Sequence, residues 1–137
     1  MQPINFPKKL VASVIDEFPL LFIVASITKG VCKFSGINEL RHKESDRIKS
    51  IEIGLNQIGI KTKSTMDSLK IFGNPNIKIG KTLEVFPKND HRIAMSYIIL
   101  GLLLEGRIKI HNCETINTSF PSFLKLIRKV GGKFEAK

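Results

Sequence analysis

The chain has 137 residues, of which 42% are hydrophobic, and no Ser/Gly- or Pro-rich tract; this excludes a long linker and leaves room for one buried core. Its 22 basic residues against 12 acidic ones give a formal net charge of +10, which suits anionic ligands. The lysines are dispersed, with no dense basic tract and no zinc-finger, KH or RNP-like signature, so nucleic acid is not the expected partner.

Residues 18–29 read as a buried helix, with Pro19 acceptable in the first turn and Gly30 as its stop. The strand "VCKFSGI" follows. Glu44 to Ile58 reads as an amphipathic helix, because Ile48, Ile51, Leu55 and Ile58 recur at helical spacing before Gly59. "IKTKST" and "SLKIFG" form two strands joined around Met66-Asp67, "NPNIKIG" is a turn-rich connection, and "TLEVF" is a further strand. Asp90 to Leu104 is a second buried helix, followed by Gly106 and the strand "RIKIHN". A helix over 120–130 and a terminal strand "KFEA" complete a mixed α/β (α+β) chain.

A shift of about 76 residues lays helix-Gly30-strand on helix-Gly106-strand, and sets Asp16 opposite Arg92 near equivalent helix starts. Such starts favour anions, through unpaired N–H groups and the helix dipole. Cys32 and Cys113 lack metal-ligand spacing and read as buried free thiols of a reducing cytoplasm. Met1 to Leu10 contains no apolar signal-peptide core, and "LLFIVASI" is too short to span a membrane, so a cytoplasmic location is expected.

Three polar clusters interrupt this apolar pattern. In "LRHKESDRI", Lys43 and Arg47 stand four apart and would share one face of a helix, with Glu44 one step round. Two cations on one edge suit a phosphate or carboxylate; the alternative is a solvated helix start with Ser45 and Asp46 near the cap. "KNDHRIAM" places His91 and Arg92 at the mouth of a buried helix, a position where Arg calls for an anionic partner. "SVIDEFPLL" sets Asp16 and Glu17 before a helix, where acids also serve a purely structural purpose.

Together, "LRHKESDRI" and "NDHRIAM" resemble the paired motifs L-R-x-K-E-S-D-R-I and N-D-H-R-x-A-M of the 5-enolpyruvylshikimate-3-phosphate synthases, the 3-phosphoshikimate 1-carboxyvinyltransferases. "IDEFP" and "TSFPSF" resemble two further stretches of that family, in the same order. UDP-N-acetylglucosamine enolpyruvyl transferases share the fold but lack this motif pair.

The resemblance implies an inside-out α/β barrel-type domain of repeated βαβαββ units. Residues 1–137 would form about two such units: an incomplete domain and the C-terminal part of a longer enolpyruvyl transferase. It further implies transfer of enolpyruvyl from phosphoenolpyruvate to the 5-hydroxyl of shikimate 3-phosphate, without metal or organic cofactor. By the same resemblance, Asp16 takes the hydroxyl proton and Glu44 exchanges a proton at the methylene carbon. Lys43 contacts substrate and phosphate, Arg47 and Arg92 clamp phosphoenolpyruvate, and His91 stands beside the second arginine. The N-terminal domain that grips shikimate 3-phosphate would have to come in cis or in trans, so the isolated chain is expected to be inactive. Thr118 stands where many members carry Lys, and Glu39 where some carry a substrate-contacting Asn, so neither is assigned a role. A non-catalytic remnant and a basic nucleic-acid-binding module are the alternatives. From the resemblance, the charged ends of Asp16, Lys43, Glu44, Arg47 and Arg92 should line one concave, positively biased surface, with Ile48, Ile51, Ile93 and Ile98 turned to the core.

Overall fold

A computed structural model of the chain describes residues 5–104, 106–111 and 122–129. A short helix α1 (Val11–Val14) and a 3₁₀ turn (Ile15–Glu17) lead into α2 (Phe18–Ser26), with Pro19 in the first turn, where its missing N–H has no helical acceptor to lose. The helix stops at Ser26 rather than Lys29. Two hydroxyls take up carbonyls of its last turn: Ser26 Oγ donates to Ile23 O (2.6 Å) and Thr28 Oγ1 to Val24 O (2.8 Å). Gly30, at φ 100°, turns the chain into β1 (Gly30–Ser35).

β1, β2 (Lys61–Ser64) and β3 (Ser68–Gly73) make an antiparallel sheet in the order β1-β3-β2. Cys32 faces Ile71 and Phe34 faces Leu69 across the strands, and all four are buried, so the period-two pattern turns this face to the core. β2 and β3 form the expected hairpin, closed by Thr65 N–H donating to Ser68 O at 3.1 Å. β4 (Leu83–Val85) pairs in parallel with β5 (Ile108–Ile110), with Leu83 opposite Ile108.

Two longer helices, α3 (Arg47–Gln57) and α4 (His91–Leu103), complete the core, and α5 (Phe123–Lys129) is the last described element. α2 packs on α4 and on β3, while α3 lies against β2 and β4 and touches both α2 and α4. Phe18, Phe22 and Phe34 pack as an aromatic cluster, with Phe22 and Phe34 edge-to-face at 4.9 Å. Between α3 and α4, Tyr97 is fully buried over Gly54 and donates its hydroxyl to Ile51 O at 2.9 Å. A Cβ at Gly54 would lie 2.0 Å from the Tyr97 oxygen, so only glycine permits this approach. Ile48, Ile51 and Ile93 are fully buried as expected, whereas Ile98 is only half-buried.

One boundary differs in a way that matters. α3 begins at Arg47, not Glu44, because the Asp46 carboxylate accepts from Lys49 N–H at 3.0 Å and caps the helix there. Asn38–His42 forms a separate 3₁₀ turn, and Lys43, Glu44 and Ser45 lie in the loop between the two. The expected strand "KFEA", Cys113, Thr118 and most of "TSFPSF" lie outside the described residues. Cys32 is a buried free thiol.

Candidate active site

Three segments meet at the N-terminal ends of α2, α3 and α4. The turn Ile15–Glu17 brings Asp16 and Glu17, the loop before α3 brings Lys43, Glu44 and Ser45, and the α4 start brings Asp90, His91 and Arg92. Arg47 ties them together. Its Nε donates to Asp90 Oδ2 at 2.9 Å and Nη1 to Asp16 Oδ1 at 3.2 Å. Nη2 is shared between Glu44 Oε2 at 2.7 Å and Asp90 Oδ1 at 3.3 Å.

Burial separates the roles of these pairs. The Arg47 side chain is 2% exposed and that of Asp90 0%, while Asp16 and Glu44 are about half exposed at 50% and 53%. Burial alone would ease Arg47 toward losing its proton, but Asp90, Glu44 and Asp16 outweigh it and hold the guanidinium more firmly charged than usual. Asp90 does two further things with its carboxylate: it caps α4 through Arg92 N–H (3.1 Å) and Ile93 N–H (3.4 Å), and it accepts from Ser45 Oγ at 2.7 Å.

Around this fixed pair lies a looser rim. Lys43 Nζ sits 3.5 Å from Asp16 Oδ1 and 3.5 Å from Glu39 Oε1, and Arg92 Nη1 lies 3.2 Å from Glu17 Oε1. The anionic partner called for by an Arg at that helix mouth is therefore Glu17, a residue whose sequence context favoured a plain helix-start acid. Exposed pairs of this kind are worth about 0–1 kcal/mol, so they are easily exchanged for another anion. Some desolvation raises the Asp16 titration, but Lys43, then Arg47 and more distantly Arg92 outweigh it, so the carboxyl titrates below the usual range and stays ionised at neutral pH. His91 is half-buried at the same helix start, and among the described residues no hydrogen bond to its ring is seen.

Asp16, Lys43, Glu44, Arg47 and Arg92 are thus brought together, but not all in the expected form. Lys43 and Arg47 are not on one helical face; they meet through Asp16, because the α3 cap at Asp46 leaves Lys43 outside the helix. Arg47 does not present an open charged end. The ion-paired set holds the cations Lys43, Arg47 and Arg92 against the carboxylates Asp16, Glu17, Glu39, Glu44 and Asp90, so its local balance is acidic rather than positive. Nor does the described cavity of about 270 Å³ lie here: it sits between α3 and the β4–α4 connection, lined by Lys49, Ile53, Glu84, Phe86 and Ile93 among others. Sequence reasoning read Asp90 as a cap and missed it as the buried counter-ion of Arg47. Its sequence neighbours Lys88, Asn89, His91 and Arg92 are all polar, so no local signal marked Asp90 as buried.

Among the described residues no helix is long and apolar enough to cross a membrane, and no group of His, Cys, Asp and Glu could hold a metal ion. Solved structures identify the architecture: the chain superposes on an EPSP synthase from Acinetobacter baumannii with a TM-score of 0.89 and 40% identity, covering 98% of this chain and 31% of that one. The family model for EPSP synthase (3-phosphoshikimate 1-carboxyvinyltransferase) matches residues 1–127, and the chain belongs to that family. Among curated relatives of that name, the protein from Halorhodospira halophila is 40% identical over 131 residues, 96% of this chain and 29% of its own length. The one from Zymomonas mobilis is also 40% identical, over 98% of this chain and 30% of its own length. The chain therefore spans about 30% of the length of the curated relatives it matches.

Proposed function

We propose that this chain carries one catalytic wall of a cytoplasmic 3-phosphoshikimate 1-carboxyvinyltransferase, acting on phosphoenolpyruvate and shikimate 3-phosphate in chorismate and aromatic amino-acid synthesis. The observation that carries this reading is the meeting of Asp16, Lys43, Glu44, Arg47 and Arg92 at three helix starts. Phosphoenolpyruvate is a carboxylate and a phosphate, and planar guanidinium forks bind both. Arg92, held among the described residues by the exposed Glu17, is the arm that can turn to that anion, while Arg47 is fixed by Asp90 and offers the edge now occupied by Glu44. Lys43 supplies a third positive charge beside them.

Asp16 is ionised and half exposed, as a base for the 5-hydroxyl of shikimate 3-phosphate must be. The hydroxyl oxygen bonds to C2 of phosphoenolpyruvate as Asp16 takes its proton, and C3 receives a proton from Glu44. That gives a tetrahedral intermediate. Departure of phosphate and return of the C3 proton to Glu44 then restore the double bond in the product. His91 lies beside Arg92 to orient the same anion.

The repeat of βαβαββ units over residues 1–137 belongs to the same proposal. Gly30 and Gly106 both have positive φ, and α3 and α5 begin 76 residues apart, at Arg47 and Phe123. Lys33 in β1 receives a parallel bridge from Asn5, as Lys109 in β5 does from Glu84. Two units of an inside-out barrel account for this correspondence. An N-terminal portion, in cis or in trans, would supply the grip on shikimate 3-phosphate.

The test is a ¹⁵N NMR titration of the 137-residue chain with phosphoenolpyruvate, following the arginine Nε–H signals. Saturable shifts at Arg47 and Arg92, lost on Lys43→Gln/Arg92→Gln substitution, are expected. Shifts confined to other arginines would refute the assignment. The isolated chain should release no phosphate from the two substrates.

A further inference from the structure

We infer that Arg41 is a positioning residue, through which the β2–β3 turn holds the loop that presents Lys43 and Glu44. The inference rests on the site proposed above but reads a different property of it.

Arg41 does not touch Asp16, Arg47 or Arg92; it points the other way. Its Nη1 lies 3.0 and 3.3 Å from the two Asp46 oxygens. Its Nη2 donates to Thr65 O at 2.8 Å and more weakly to Ser64 Oγ at 3.4 Å, and its Nε donates to Met66 O at 3.4 Å. The side chain is 14% exposed, so this is not a loose surface pair. One planar fork therefore binds the α3 cap and the hairpin turn at once, which an ammonium on a flexible stem cannot reproduce.

The consequence follows from the order of residues. Arg41 to Asp46 closes a ring across His42, Lys43, Glu44 and Ser45, and Ser45 Oγ to Asp90 fixes the far side of the same loop. Four residues are pinned from two directions, and that sets where Lys43 Nζ and the Glu44 carboxylate stand. Without the fork, Asp46 can still cap α3 through Lys49 N–H, so the helix persists while the loop before it loosens. Lys43 then leaves Asp16. The turn that carries Arg41's acceptors is exposed, with Met66 at 67%, so it acts as an outer support of the site rather than as a part of the core.

The test reads the Asp16 carboxyl by ¹³C NMR titration in the full 137-residue chain, and needs no turnover. Asp16 is faced by Lys43, Arg47 and Arg92, with Glu44 and Glu17 near it, and Arg41 is not among the groups that set its titration. Arg41→Lys keeps the charge and breaks the fork. It should raise the Asp16 midpoint by about half a pH unit. Lys43→Gln should raise it at least as far, and the double variant no further than Lys43→Gln alone. Protection of the Lys49 amide from hydrogen exchange, retained in Arg41→Lys, certifies that α3 is intact. If Arg41→Lys leaves the Asp16 midpoint at its original value, or if its effect adds to that of Lys43→Gln, Arg41 does not position Lys43 and the inference falls. A missing response to phosphoenolpyruvate would overturn the proposed function but leave this coupling standing.

Discussion

Arg47 and Asp90, 43 residues apart in sequence, form a buried ion pair at 2.9 Å that joins the start of α3 to the start of α4. Removing Asp90 leaves the buried Arg47 guanidinium with only its half-exposed ion-pair partners Asp16 and Glu44, a loss of up to about 3–5 kcal/mol. Asp90→Ala should therefore lower the urea-unfolding free energy by about that amount, with the lost α4 cap adding about 1 kcal/mol. An Arg47→Met/Asp90→Leu double variant should recover much of the loss. A decrease below about 1 kcal/mol for Asp90→Ala would show that the pair is solvated rather than buried.

Acid should weaken the rim through Asp16. The folded-state pKa of Asp16 lies below its unfolded value, so its contribution is present above the ordinary carboxylate range and is lost as pH falls through the lowered folded value. Asp16→Asn should be less stable than the parent at neutral pH, and the two should converge as the pH falls through the lowered folded-state value. Thermal melts at pH 7 and at pH 2.5 check this; a gap that widens in acid would reverse the sign.

The contact of Gly54 with Tyr97 sets how closely α3 and α4 approach. Gly54→Ala would raise helix propensity on a surface helix, but here the methyl group meets the tyrosine ring. The variant should lose about 1–3 kcal/mol by urea unfolding. A stabilised Gly54→Ala chain would mean that the two helices can part without cost.

Several parts of this molecule were legible in its sequence because they depend on near neighbours. Pro19 in the first turn of α2, Gly30 after it, the hairpin around Met66-Asp67 and Asp90 as a cap all follow from backbone rules within a few residues. Where the outcome turned on a distant partner, the reading failed. Periodicity carried the α3 helix back to Glu44 although Asp46 was a local cap candidate; what no local pattern showed is that Asp46 is also held by Arg41 and so keeps Lys43 and Glu44 in a loop. The burial of Arg47 depends on Asp90, and the acidic balance of the rim depends on Glu17 and Glu39 folding onto Arg92 and Lys43. The motifs pointed to the candidate residues; only the fold showed which of them are buried in fixed pairs and which stand exposed at the rim.

The most direct measurement of the central claim is turnover by a chimera. In it, this chain replaces the matching 30% of the Zymomonas mobilis relative. Phosphate release would be measured from phosphoenolpyruvate and shikimate 3-phosphate. The account predicts an active chimera that loses at least about 100-fold in kcat with Asp16→Asn or Glu44→Gln, as expected when a proton-transfer group is removed. A folded chimera that binds shikimate 3-phosphate but releases no phosphate, or one indifferent to both substitutions, would contradict it.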